Sequence, residues 1–226
     1  MKVIDLSHRL EPDMPVYPGD DPALITRPRT HEEHGFSATH LNLGAHAGTH
    51  MDAPLHMLSD GPGVDWFDAA HFVGRAAVLD VSAAGQYLGA EELAEASALV
   101  TETGGLDFLL LRTGWDRHWN TPAYWKDWPE LTRTAARLLT GLDLRGMGMD
   151  TPSPDGLNAT EAHLSLFRAG MVVVENLCNL DALPEEPFTF SCLPLNIAGA
   201  DGAPCRAVAL LQSSPEDDFP FADAPS

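Results

Sequence analysis

The 226-residue sequence predicts a single α/β domain, and three observations carry that reading. Aliphatic and β-branched runs such as "LDFLLLRTGW" at 106–115 and "MVVVENL" at 171–177 have the composition of buried strands. Helix-forming stretches, "GAEELAEASAL" at 89–99 and "PELTRTAARLLTGL" at 129–142, fall between the strand-like segments. With 44% of its residues hydrophobic, the chain can bury one sizeable core.

In chain order, "KVIDL" at 2–6 is a first strand, and "EPDMPVYPGDDP" at 11–22 is a proline-rich loop in which Gly19 follows Pro18 in a turn-forming pair. "FSATHLNLGAHAGTH" at 36–50 has the mixed alternation of one or two strands. A helix through 46–50 would have to contain Gly48 and would soon meet Pro54, so extended or turn structure is expected there. "VGRAAVLDVS" at 73–82 is strand-like, the helix at 89–99 follows, and after the strand at 106–115 and the helix at 129–142 comes "DLRGMGMD", a short strand ending in Asp150. "NATEAHLSLFRAG" at 158–170 reads as a helix starting near Asn158 or Thr160 and closed by Gly170, and the strand after it ends at Glu175. "FTFSCLPLNIAGADGAPCRAVALL" suggests strands on either side of a Gly/Pro loop, and 211–226 reads as a weakly ordered tail on a domain spanning 1–226. There is no Rossmann glycine pattern and no phosphate-binding loop, and the pattern leaves strand order open.

Composition narrows the function. A formal charge of −20, from 33 acidic against 13 basic residues, repels phosphate backbones and makes nucleic acid a poor partner. No window approaches the ~20 apolar residues of a membrane span, and the start "MKVIDLSHRL" lacks the apolar run of a signal peptide, so a cytoplasmic location without a membrane partner is expected. Cys178, Cys192 and Cys205 lack the paired spacing of a redox or zinc-ribbon motif and read as packing residues.

The chemistry concentrates in "GAHAGTHMDAPLH" at 44–56, which holds His46, His50, Asp52 and His56. On an extended chain these positions share parity, so a strand could present imidazole and carboxylate to one pocket, though Gly48 and Pro54 require a bend. Such donors suit zinc, manganese or non-haem iron, and no paired thiolates compete.

The run from His46 to His56 reads H-x-G-T-H-x-D-x-P-x-H and resembles the signature of the cyclase family of metal-dependent hydrolases, a group that includes bacterial kynurenine formamidase and isatin hydrolase. Supporting similarity lies in "DLSHRLEPDMPVYPGD" at 5–20, "RTGW" at 112–115, "HLSLFRAGMVVVENLCNLDALP" at 163–184 and "GADGAPCRAVAL" at 199–210. The resemblance implies a swivelling β/β/α fold with a mixed, barrel-like sheet and flanking helices. It implies that His46 and His50 bind one metal, that Asp52 bridges it to a second where two are present, that His163 ligates the second, that Glu175 bridges or contacts both, and that His56 transfers protons. One or two divalent ions per subunit follow, zinc first and manganese as the alternative. The implied reaction is hydrolysis of a small amide, a formamide or lactam, by metal-activated water, with N-formyl-kynurenine as the leading substrate. Competing readings are an isatin- or lactone-type ring opening, a dehydratase or polyketide-type cyclase, and a metal-binding protein without turnover. A homodimer or homotetramer is implied as well. The chain departs from the family at Tyr17: kynurenine formamidase resembles it in the loop "PVYPGD" but carries tryptophan there. Tyr17 can still stack on an aromatic substrate, and "GWDRHWNTPAYWKDW" at 114–128 could help to shape a different pocket.

Overall fold

The computed structural model describes residues 1–212. Its strands are β1 (Lys2–Asp5), β2 (Leu24–Arg29), β3 (Ala38–Asn42), β4 (His50–Asp52), β5 (Val73–Asp80), β6 (Tyr87–Leu88), β7 (Phe108–Arg112), β8 (Glu130–Leu131), β9 (Gly146–Met149), β10 (Val172–Glu175), β11 (Phe188–Ser191), β12 (Gly202–Pro204) and β13 (Val208–Leu211). The helices are α1 (His31–His34), α2 (Ala94–Glu102), α3 (Arg133–Thr140) and α4 (Glu161–Arg168), with short 3-10 turns between elements. Nine strands form one curled, half-barrel sheet in the order β1-β13-β11-β5-β7-β9-β10-β4-β12. Its centre, β5-β7-β9-β10, is parallel, and every pairing outside that centre is antiparallel.

Alternation along the central strands divides the core into two layers. Leu109, Leu111, Met147, Met149 and Val173 face a cluster that includes Leu93 and Ala96 beside and on α2, Ala135 and Leu139 of α3, and Leu166 and Phe167 of α4. Phe108, Leu110, Val172 and Val174 face the other side with Met51, Leu177 and Phe190. The two glycines of β9 explain why so small a strand sits at the centre. A methyl on Gly146 would stand 2.7 Å from Val172 and 3.0 Å from the Phe108 ring, and one on Gly148 would stand 2.7 Å from Leu177. Asp150, just beyond β9, accepts hydrogen bonds from Thr113 N, Thr113 Oγ1 and Gly114 N, tying the end of β7 to the end of β9. Burial pushes its pKa up to about 6 against those bonds.

Most expected elements are present with shifted ends. The helix expected at 158–170 begins at Glu161, because Asn158 adopts the left-handed region (φ 63°), and the left-handed Gly170 (φ 77°) lies two residues beyond its last turn. The region at 36–50 contains two strands, β3 and the first residue of β4. Strand β2, the partner of β3, was not legible: it carries Pro28 and is exposed along almost its whole length, so no inside-outside alternation marks it. Leu211, placed in the expected tail, closes β13, and residues 213–226 lie outside the described residues. No helix among the described residues is long and apolar enough to cross a membrane.

Candidate metal centre

The site is built where β4 runs antiparallel to β10. His50 stands opposite Glu175 and Asp52 opposite Val173, so His50, Asp52 and Glu175 share the helix-side face, while Met51 and Val174 point into the other layer. Helix α4 packs on that same face and brings His163 over it, with Leu166 and Phe167 in the core beneath. The expectation of one extended run from 46 to 56 holds only for His50 and Asp52. Gly48 turns the chain in the left-handed region (φ 65°), so His46 arrives from a turn, and Pro54 opens a 3-10 turn that carries His56. Gly202 of β12, opposite Asp52, makes room for this path: a methyl there would lie 2.7 Å from His46 Cε1.

Each histidine is held on one side by an oxygen. His50 Nδ1 donates to the Gly48 carbonyl at 2.8 Å, His163 Nδ1 faces Asp155 Oδ2 at 2.7 Å, and His46 Nε2 faces Asp201 Oδ2 at 3.0 Å. Their other nitrogens converge on the two carboxylates. His46 Nδ1 is 2.6 Å from Asp52 Oδ1, and His50 Nε2 is 3.2 Å from both Asp52 Oδ1 and Glu175 Oε2. His163 Nε2 is 3.2 Å from Glu175 Oε1 and 3.5 Å from Asp52 Oδ2. An imidazole whose outer nitrogen is occupied presents its inner one in a fixed direction, the arrangement metal-binding histidines require.

Two observations show that these donors fit a cation. His50 Nε2, His163 Nε2 and Glu175 Oε1 are buried and have no hydrogen bond of acceptable geometry, although they lie side by side. Unsatisfied polar atoms at such depth are costly unless something completes them. Donor atoms of His50, Asp52 and Glu175 lie within 4.8 Å of one another, as do those of His46, Asp52 and His56, with Asp52 common to both groups. Electrostatics agree. Burial opposes charge on His50, but Asp52 and Glu175 outweigh it and push its pKa up to about 10. His163 is held well above the ordinary imidazole value by Asp155, Asp52 and Glu175 despite its burial. Burial would raise Asp52, yet His50 and His46 hold it well below the usual carboxylate range. A cluster this charged and this buried is balanced by protons or by metal.

All seven residues singled out from the sequence, His46, His50, Asp52, His56, His163, Glu175 and Tyr17, line one cavity of about 390 Å³. Val16, Met57, Trp125, Asn158 and Thr160 complete its apolar and polar walls. The rings of Tyr17 and Trp125 meet edge to face, with centroids 5.8 Å apart at 83°. The aromatic segment at 114–128 thus divides its work. Trp125 reaches the cavity, whereas Tyr124 and Trp128 are buried in packing. Trp128 Nε1 donates to the Ser153 and Asp155 carbonyls, and Tyr124 Oη donates to Asn176 Oδ1.

Sequence reasoning missed the supporting residues. Asp155 accepts from Ala162 N and His163 N and orients the His163 ring, closing the start of α4, where Thr160 makes no capping bond. An acidic residue just ahead of a helix was the available signal, but it lay in a loop. Asp201 sat within "GADGAP" without a role, and Asn176, which donates to the Gly48 carbonyl at 2.9 Å, follows Glu175 in the left-handed region. His40 lies exposed on β3 and takes no part in the centre.

Comparison with known proteins agrees with this geometry. The Cyclase family model matches residues 4–156, which include His46, His50, Asp52 and His56. The chain is 34% identical over 208 residues to the kynurenine formamidase of Bacillus thuringiensis (strain Al Hakam), covering 91% of this chain and 95% of that protein. It is 34% identical over 210 residues to the kynurenine formamidase of Bacillus anthracis, covering 92% and 96%. Among solved structures, isatin hydrolase A from Labrenzia aggregata, bound to benzyl benzoate, superposes with a TM-score of 0.81 at 28% identity, covering 92% of this chain and 93% of that one. Isatin hydrolase A from Ralstonia solanacearum gives a TM-score of 0.83 at 26% identity, covering 93% and 92%.

Proposed function

This chain belongs to the cyclase family, and from that premise we propose that it is a metal-dependent hydrolase of amide bonds acting on an aryl formamide such as N-formyl-kynurenine. The observation that carries this reading is the convergence of three histidines, each pinned by an oxygen on its outer nitrogen, onto Asp52 and Glu175 at the floor of an aromatic-edged cavity.

His46 and His50 would hold one ion and His163 a second, with Asp52 between them and Glu175 within reach of both His50 and His163. When bound, a divalent metal lowers the pKa of coordinated water and polarises the scissile carbonyl. The protein's own groups do the rest. Tyr17 and Trp125, which line the cavity and meet edge to face, would take the aryl group, and the carbonyl end would then point toward the carboxylates and histidines. His56, on the cavity wall and half-buried, takes the proton released by the attacking water and returns one to the departing nitrogen. Peptide-like C–N cleavage then yields formate and a free aryl amine.

A lactam substrate such as isatin is the second reading. It is supported by the superposition on two isatin hydrolases. Zinc is proposed as the native metal and manganese as its rival, since imidazole and carboxylate donors suit both. A cytoplasmic homo-oligomer is proposed too, its association supported by Leu41 and Leu195, exposed apolar side chains that line one surface cleft. A metal-supplemented panel of N-formyl-kynurenine, isatin, simple aryl formamides and lactones tests the substrate. Rapid turnover of N-formyl-kynurenine is expected, and background turnover of it beside rapid turnover of isatin would transfer the assignment to the lactam.

A further inference from the structure

Asp201 occupies a position that the hydrolytic scheme has not used. It sits one residue before β12, and the backbone on both sides of it is pinned: Ala53 N donates to the Asp201 carbonyl and Val64 N to the Ala200 carbonyl, each at 2.9 Å. From there a single carboxylate oxygen, Oδ2, lies 3.0 Å from His46 Nε2 and 3.2 Å from His56 Nδ1. The two rings it joins are 4.1 Å apart between centroids and tilted by 44°. His50 and His163 have orienting partners of their own in Gly48 and Asp155, whereas among the described residues no other group hydrogen-bonds the His56 ring.

An ionised carboxylate can only accept, so each ring nitrogen that faces it must carry the hydrogen. His56 is thereby fixed with its proton on Nδ1 and its lone pair on Nε2. His46 faces a carboxylate with both nitrogens, Asp201 with Nε2 and Asp52 with Nδ1 at 2.6 Å, so without metal it carries both protons; Asp201 holds the one on Nε2, and the one on Nδ1 is the proton a cation would displace. We propose that Asp201 is a positioning residue that sets the tautomer of a metal ligand and of the proton carrier at once. It leaves Nε2 of His56 as the atom that exchanges protons and Nδ1 of His46 as the atom that binds metal. The inference rests on the reading of His56 as proton carrier given above. Its logic is that of a carboxylate behind a catalytic imidazole, which acts by orientation and tautomer without touching substrate. The Asp201 side chain is 43% exposed, so its removal should leave the fold intact.

The test compares the wild type with Asp201→Ala, Asp201→Asn, His56→Ala and the double variant Asp201→Ala/His56→Ala, at saturating zinc and with an aryl formamide. The readouts are kcat, KM, retained metal and ring-nitrogen NMR of the metal-free proteins. Asp201→Ala should lower kcat by roughly 10–100-fold, the usual cost of losing the partner of an active-site histidine, with KM little changed. Asp201→Asn, which keeps the shape but can turn its amide nitrogen toward either ring, should also be slow. At saturating zinc, which refills a site weakened by loss of the Asp201–His46 contact, the double variant should be no slower than His56→Ala alone, because the effect of Asp201 on turnover runs through a ring that is already gone, whereas retained metal should fall in both proteins that lack Asp201. The NMR should show His56 protonated at Nδ1 in the wild type and shifted toward the Nε2-protonated form in Asp201→Ala. A wild-type kcat for Asp201→Ala beside a slow His56→Ala would overturn this inference while leaving the proton-carrier reading in place. An additive loss in the double variant, or an unchanged His56 tautomer, would overturn it as well. Wild-type kcat in His56→Ala would bring down the proton-carrier reading and this inference with it.

Discussion

Replacing Gly202 by alanine probes the packing that lets His46 reach the centre. The added methyl would stand 2.7 Å from His46 Cε1, 3.1 Å from His46 Nδ1 and 2.9 Å from the Met51 carbonyl oxygen. Carbon atoms in good contact sit roughly 3.5–4.0 Å apart, so the overlap with the ring is about 1 Å. The Met51 carbonyl belongs to β4 and cannot yield without moving Asp52 and His50, so the imidazole is the part free to give way. Overpacking of this kind costs about 1–3 kcal/mol. If His46 swings to relieve it, that energy is taken from metal binding and weakens it by about 5- to 150-fold. If the strands separate instead, the metal-free protein should lose about 2–4 °C in Tm per kcal/mol. Competition against a chromophoric chelator, with Tm of the metal-free form, separates the two routes. Gly199→Ala is the control: Gly199 is left-handed (φ 64°) with nothing within 4 Å of the added carbon, so it should carry backbone strain but no loss of metal affinity. Unchanged affinity and unchanged Tm in Gly202→Ala would refute the packing argument for His46.

Three further outcomes are expected. His50→Ala should lose metal and rate together, whereas His56→Ala should keep most of its metal while turnover falls roughly 10²–10⁴-fold. Elemental analysis and kinetics on the same preparations check this, and the proximity of His56 to His46 and Asp52 makes the contrast informative: equal metal loss in both variants would make His56 a ligand. Asp155→Ala removes three acceptor contacts at the start of α4 and should weaken metal binding roughly 10–100-fold while destabilising the helix start by about 1 kcal/mol, measured by chelator competition and thermal unfolding. In the metal-free protein the His50 pKa of about 10 exceeds its ordinary 6.5, so this group's contribution is complete below pH 6.5 and is lost as pH rises through 10. Thermal unfolding of the chelated protein should therefore show Tm declining over that interval. Metal uptake, which requires neutral imidazoles, should strengthen over the same interval and release protons.

The chemistry of the centre was more legible in the sequence than its geometry. Four donor-type residues between 46 and 56 marked half of it, and the helix at His163 and the strand ending at Glu175 were readable from periodicity and β-branching. What brings the halves together is the antiparallel pairing of β4 with β10, and pairing between segments so far apart leaves no local pattern. The parity argument for 46–56 failed outside β4 because Gly48 and Pro54 impose their own dihedrals, a warning present in the sequence but without a direction. Asp155 and Asp201 were invisible for a related reason. Their roles lie in the ring nitrogens they face, and a loop aspartate looks the same whether it faces solvent or an imidazole. Strand β2 escaped because exposure along its length erases the alternation that identifies strands, although its partner β3 lay in a segment read as strand.

Metal dependence is the claim on which the rest stands, and one titration tests it most directly. The protein is stripped exhaustively with chelator, and zinc is returned in measured steps while bound metal and hydrolysis of the best substrate of the panel are followed on the same samples. The account predicts background turnover in the stripped protein and recovery that rises with occupancy of one to two ions per subunit. Full turnover in protein shown by elemental analysis to hold neither zinc nor manganese would contradict it.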